Sequence, residues 1–211
     1  MGDHDHNHNH DFERDFWGDC VNTYDEDQKH YIYAKYMGLG QSHYTLTVPS
    51  GVSKIIDIGG GPSSMILKTG VKTADCLVVD PLAGGYPEWV HKRYECRGVK
   101  CMQGQGEDIS NIPDTYHEAW MYNVLQHTED PELIVRNLKT LAPTVRIFEW
   151  IDIPAHEGHP HMLTEEMLNR AVGQRGTTGY LDGTNGCQGR FWATHWVSGA
   201  AAATCQLKKL I

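Results

Sequence analysis

The sequence has no Cys-x-x-Cys pair, no Lys/Arg-rich stretch, and no apolar run near the roughly 18 residues that a membrane span requires. Each absence excludes something. The six cysteines (Cys20, Cys76, Cys96, Cys101, Cys187, Cys205) are scattered, several in or beside apolar runs. That pattern suits buried free thiols in a reducing compartment and not a disulfide scaffold. Without a basic stretch there is no footprint for a phosphate backbone, which argues against polymeric nucleic acid as a main partner. A polar, acidic N-terminus is the reverse of a signal peptide, so the expected setting is cytoplasmic, with no membrane partner.

Positive charge is scarce at one end in particular. Residues 1–27 hold nine acids and a single base, Arg14, whereas the rest of the 211-residue chain carries 18 acids and 17 bases. The net charge of −9 is therefore a near-neutral body with an acidic strap. Residues 1–10 (MGDHDHNHNH) cannot bury anything and read as a disordered tail, with loose binding of a transition metal as the sharper alternative. Residues 11–50 read as a helical lid. Phe12, Phe16 and Trp17 share a helical face, and Thr23-Tyr24-Asp25-Glu26 has capping-box spacing. Tyr31, Ala34 and Met37 then recur at helical spacing before a stop at Gly38.

Residues 51–211 alternate short apolar runs with helical stretches. Strands are expected at Lys54–Ile58, Cys76–Asp80, Val99–Met102, Glu118–Val124 and Val145–Ile151. Helices are expected at Tyr86–Glu95, Pro131–Leu141 and Thr164–Val172. Two last strands, Phe191–Val197 and Thr204–Leu210, follow each other without a helix and predict an antiparallel edge hairpin. The Gly-rich Gln174–Gly189 stretch carries no motif and reads as a loop. The whole is an α/β fold with a doubly wound, mostly parallel sheet.

The informative segment is Ile55-Ile56-Asp57-Ile58-Gly59-Gly60-Gly61-Pro62-Ser63-Ser64, a buried strand running into glycines and then a helix start. Such a turn lies at the carboxyl edge of the sheet, where ligands bind. Asp80, nineteen residues after Gly61, stands at the tip of the next strand, where a carboxylate can accept ribose hydroxyls. A dinucleotide site wants G-x-G-x-x-G, and Ser64 occupies the third glycine's place. Asp57 is also poor company for phosphates. A nicotinamide-dependent oxidoreductase is thus the weaker alternative, and a non-catalytic cofactor- or metal-binding module is a third.

Asp57-x-Gly59-x-Gly61-x-Ser63 resembles the first motif of class I S-adenosylmethionine-dependent methyltransferases. Three further segments match in order: Asp80 with Pro81; Gln103-Gly104-Gln105-Gly106-Glu107-Asp108; and Trp120 to Pro131, with Asn123, Val124 and Leu125-Gln126-His127 at its centre. The resemblance, to the small-molecule branch, implies a seven-stranded sheet with an antiparallel C-terminal hairpin and S-adenosylmethionine as cofactor. It implies ribose contact at Asp80 and adenine contact at Gly106, Glu107 and Asp108. Gly60, Asn123 and Val124 join the cofactor set. The N-terminal helices would form a lid, with Phe12, Phe16, Trp17 and Tyr24 as candidate contacts.

Methyl transfer to a hydroxyl is helped by a general base, for which histidine is favoured near neutral pH. Candidates are His127, past the fourth strand, and the dense run Glu149-Trp150-Ile151-Asp152-Ile153-Pro154-Ala155-His156-Glu157-Gly158-His159-Pro160-His161. In one reading His159 or His161 is the base, oriented by Asp152 or Glu149. In a second, Asp152, His156, His159 and His161 hold a divalent metal. In a third, the loop is merely solvated. His30, His43, His91 and His117 read as ordinary surface or packing residues. Trp192, His195 and Trp196 could line an acceptor pocket, although strand aromatics are more often core.

Overall fold

The computed structural model describes residues 13–20, 22–71, 75–183 and 186–199. The tail at residues 1–10, Phe12, Cys205 and the run Thr204–Leu210 lie outside them.

A helical turn at residues 13–17 precedes helix α1 (Thr23–Tyr36), and a small hairpin follows, β1 (Gly40–Ser42) with β2 (Thr45–Thr47). The segment before the main sheet is thus not wholly helical. The capping box is not used. Thr23 lies inside the first turn, the cap position is Asn22, and its amide donates to the Phe16 carbonyl and ties the two helical pieces together. Glu26 pairs instead with Lys29. Gly38 ends the helix as expected, at φ +77°.

The main sheet comprises β3 (Ile55–Ile58), β4 (Leu77–Asp80), β5 (Lys100–Gln103), β6 (Glu118–Tyr122), β7 (Thr144–Trp150), β8 (Thr177–Asp182) and β9 (Gln188–Val197), in the order β5-β4-β3-β6-β7-β9-β8. All pairings are parallel except β7–β9 and β8–β9. The hairpin expected at the C-terminus is present, with one partner changed. Its first strand is β8, from the Gly-rich stretch read as a loop. Two of those glycines serve packing: a Cβ at Gly176 would stand 2.3 Å from the Trp192 ring, and one at Gly179 2.7 Å from the Phe191 ring. Glycine there lets the aromatics of β9 lie across β8.

Helices α2 (Glu88–Cys96), α3 (Pro131–Leu141) and α4 (Glu165–Val172) complete the layers. Asp130 caps α3 by accepting from Leu133 N at 2.8 Å, with Pro131 in its first turn. Thr164 caps α4 in the same way, accepting from Met167 N. On one face Ile134, Leu138 and Leu168 of α3 and α4 pack on Ile56, Met121 and Ile147.

The opposite face is covered differently. Among the described residues the glycine turn is followed by a 3-10 turn, Met65–Lys68, capped by Ser64, and by no α-helix before β4. Helix α1 occupies the face instead: Tyr33 stacks on Phe148 with centroids 4.4 Å apart, and His30 meets Tyr122 edge-on. Asp27 anchors this helix. It accepts from Ser63 Oγ, from Lys68 Nζ at 2.6 Å and from Arg93 Nη2 at 2.9 Å. Burial opposes its charge, yet these partners hold its carboxyl down at about 2. His30, read as an ordinary histidine, is buried here with Nδ1 2.7 Å from Lys68 Nζ, and burial keeps its ring neutral. Among the described residues no helix is long and apolar enough to cross a membrane.

Candidate functional site

The sheet reverses winding direction between β3 and β6, and at that switch point a ligand crevice is expected outside the carboxyl ends of the strands. A cleft of about 1020 Å³ opens there. One half is lined by Gly59, Gly61, Asp80, Pro81, Gly106, Glu107, Asn123 and Val124, and the other by His127, Trp150, Ile153, His156, His159 and His161. Glu13, Phe16 and Trp17 close it from the N-terminal side.

The glycine turn is built for close approach. Gly59 and Gly61 take φ of +74° and +63°, and a Cβ on Gly59 would sit 2.5 Å from Val124 Cγ1. Trp17 lies over Gly61, 3.6 Å from where a Cβ would stand. Asp57 is buried beneath the turn and accepts through Oδ2 from the hydroxyls of Ser64 and Tyr122, while its buried Oδ1 has no partner. Burial drives its carboxyl up to about 7. Asp57, Gly60 and Ser63 support the turn from behind and do not line the cleft.

Asp80 is the turn's other brace. Its Oδ1 accepts from Leu82 N at 2.9 Å and Tyr86 Oη at 2.6 Å, and its Oδ2 from Gly61 N at 3.0 Å. A carboxylate offers about four acceptor sites, so about one remains, on Oδ2 at the cleft. Glu107 Oε1 accepts from the backbone of Glu129 and Asp130, while Asp108 is turned outward and accepts from Ser110 N. Asp108 therefore lies outside the cleft lining.

After β6 the chain turns sharply. Asn123 takes φ +57°, and Glu149, buried on β7, accepts from Val124 N and Leu125 N at 3.1 Å. Burial raises the Glu149 carboxyl to about 7. Its partners are these amides, so it shapes the β6 turn, and no hydrogen bond to a cleft histidine orients one. Asp152, also at positive φ, pairs with Arg190. The histidines gather without either acid. His127 and His159 rings meet edge-on with centroids 4.5 Å apart, and His159 lies 4.3 Å from His156, the two residues exchanging backbone bonds of 2.9 Å. His161 Nε2 is 3.1 Å from the Glu129 carbonyl. Burial, with His127 and His156 beside it, pushes the His159 ring down to about 4, and its buried Nδ1 has no partner. Burial also works against the His127 cation, but Glu13 and the Gly158 carbonyl outweigh it and the ring sits above its ordinary value.

The metal set considered from sequence does not assemble. Asp152 is engaged with Arg190, and among the described residues no group of three or more His, Cys, Asp or Glu converges to hold a metal ion. Trp192 is buried on the far face, donating to Asn169 Oδ1, and Trp196 packs under Lys139, so neither lines the cleft. Sequence reasoning missed Glu13, Glu26 and Lys29 as lining residues. No local pattern marks them, because they reach the cleft through long-range packing.

A pH dependence follows from two of the buried carboxyls, Asp57 and Glu149. Asp57 and Glu149 titrate at about 7 when folded and near 4 when unfolded. Between those values the folded state binds more protons, so stability falls as pH rises from about 4 to about 7 and then levels off. In urea denaturation, Asp57→Asn should gain at least about 1 kcal/mol relative to wild type between pH 4.5 and pH 8. A constant difference across that range would contradict the burial argument.

The sequence matches no protein-family model and none of the curated proteins. Solved structures do match in shape. A putative methyltransferase from Haloferax volcanii, solved in complex with the Trm112 methyltransferase activator, superposes with TM-score 0.59 at 12% identity, over 88% of this chain and 96% of that one. A possible histamine N-methyltransferase from Thermotoga maritima gives 0.54 at 14%, over 86% and 97%. Magnesium protoporphyrin IX methyltransferase from Synechocystis, with bound S-adenosylmethionine, gives 0.54 at 16%, over 88% and 90%. The chain has the fold of class I S-adenosylmethionine-dependent methyltransferases.

Proposed function

We propose that the protein is a cytoplasmic S-adenosylmethionine-dependent methyltransferase acting on a small-molecule acceptor, a hydroxyl of a sugar or another metabolite. The observation that carries this reading is the shared cleft. A glycine turn, a buried acid with one acceptor site left and a histidine group open into one space at the switch point of the sheet.

The chain's residues suit the cofactor. Gly59 keeps bare backbone where a side chain would collide with Val124, Asp80 offers the remaining acceptor for a ribose hydroxyl, and Gly106, Glu107, Asn123 and Val124 flank it. Asp57 and Ser63 hold the turn from beneath, and Asp57 keeps a buried, unpartnered oxygen there. When bound, S-adenosylmethionine supplies an electrophilic methyl group on a sulfonium. The protein's task is then to align the acceptor and take its proton, and alignment alone contributes about 7–11 kcal/mol in well-oriented systems. Among the candidate bases we favour His159, which lines the cleft beside His127 and whose ring is neutral at physiological pH. His161 is engaged with the Glu129 carbonyl and His127 with Glu13.

A thermal-shift panel tests the reading. S-adenosylhomocysteine at about 100 times its Kd should add roughly 2.7 kcal/mol of stability, and nicotinamide dinucleotides should add none. The reverse pattern would favour the oxidoreductase alternative.

A further inference from the structure

One imidazole ties three parts of the chain together. His127 Nδ1 lies 2.7 Å from the Gly158 carbonyl, on the loop after β7, and 3.0 Å from Glu13 Oε1, on the helical turn before α1. Both partners accept, so Nδ1 must carry hydrogen and the ring is clamped between them. His127 itself sits on the turn after β6, where its backbone N–H donates to the Val124 carbonyl. The pair is largely shielded, with side chains 18% and 20% exposed, so it is screened less than a surface ion pair.

What Glu13 holds in place matters for the site. Four residues on, Trp17 lies over Gly61, and Phe16 stacks edge-on against Trp17 with centroids 5.2 Å apart. On the other side, the His127 ring faces His159. Among the described residues the strap is also fastened where Asn22 donates to the Phe16 carbonyl and, further along, by Asp27. Among the described residues Glu13 is thus an ionic contact through which the strap reaches across the cleft to the body.

We propose that Glu13 is a positioning residue of the acceptor site, latching the N-terminal strap over the glycine turn through His127 and setting the face that His127 turns toward His159. The proposal deepens the methyltransferase reading, because it makes the acceptor half of the cleft complete only when the strap is down. It assigns the acidic N-terminal strap a defined contact. Among the described residues, the charged and titratable groups at His127 include Glu13 from the strap, Glu149 from β7 and His159 from the loop after β7. Of these, Glu13 makes the only ion pair to His127 among the described residues that involves the strap.

The test uses the full chain with Glu13→Gln, Glu13→Asp, His127→Gln and the double variant Glu13→Gln/His127→Gln. Two readouts apply: NMR titration of the histidine ring protons and amide hydrogen exchange of residues 13–20. Glu13→Gln should lower the His127 titration midpoint by about one pH unit or more, since the carboxylate that favours the cation is gone. It should speed exchange of the strap at least about tenfold. Glu13→Asp should restore part of both effects. If the latch is this pair, His127→Gln alone should loosen the strap equally, and the double variant should exchange no faster than either single one. An unchanged His127 midpoint in Glu13→Gln, or strap exchange that multiplies in the double variant, would overturn the proposal. Neither readout needs a cofactor or acceptor. If S-adenosylhomocysteine fails to bind, the methyltransferase reading falls while the latch can still stand, so the two failures are distinguishable.

Discussion

Arg146→Ala is expected to remove about 3–5 kcal/mol of folding stability, read as a lowered urea midpoint with an unchanged slope. The guanidinium is buried on β7 and bridges Glu118 on the neighbouring strand twice, Nε to Oε2 at 2.7 Å and Nη2 to Oε1 at 2.9 Å. Its Nη1 donates to the Met37 carbonyl at 2.7 Å, closing the C-terminal end of α1 onto the sheet, and Trp120 Nε1 donates to the same carboxylate. Removing the arginine strands a buried carboxylate and an orphaned carbonyl. Arg146→Lys should not rescue it, because a single ammonium cannot reproduce three aligned donors. Replacing both partners with apolar residues, Arg146→Met with Glu118→Leu, should recover most of the loss, since no charge is then left buried. A single-variant cost under about 1 kcal/mol would mean that the pair contributes little.

The second large effect concerns the ligand. Asp80→Ala should weaken S-adenosylhomocysteine binding by at least about 100-fold, a loss of about 2.7 kcal/mol at 25 °C. Two causes act together. The substitution removes the acceptor site left on Oδ2, and it releases Gly61 N, Leu82 N and Tyr86 Oη, which set the shape of the turn. Asp80→Asn separates them: it keeps one oxygen for the turn and loses the charge, so binding should fall by an intermediate amount. Titration calorimetry reads both variants, with a melting curve to show that each is folded. Unaltered affinity in Asp80→Ala would remove Asp80 from the site.

Much of the fold was readable because its signals are local. Apolar runs of four to seven residues gave β3 to β7 to within a residue or two, and Pro131 and Thr164 marked the starts of α3 and α4. The glycine-turn half of the cleft was readable for the same reason, since a glycine turn and the acid on the next strand keep a fixed spacing along the chain. What escaped depends on distant contacts. β8 looked like a loop because Gly176 and Gly179 answer to the Trp192 and Phe191 rings and not to their own neighbours. The capping box at Thr23 was overridden by the tie from Asn22 to Phe16. The missing helix after Ser64 is replaced by α1, whose Tyr33 finds Phe148 more than a hundred residues on. In the histidine-lined half the density of histidine was visible, but the partners of each were not. Asp152 and Glu149 stood nearest in sequence and turned to Arg190 and to backbone amides, while Glu13 came from the far end of the chain.

The measurement that bears most directly on the central claim is a crystal structure with S-adenosylhomocysteine. The ligand should lie in the cleft with its ribose on Asp80, its adenine beside Gly106 and Glu107, and its sulfur on the side facing His159 and His127. A nucleoside bound elsewhere, or one whose sulfur points away from the histidines, would contradict the account.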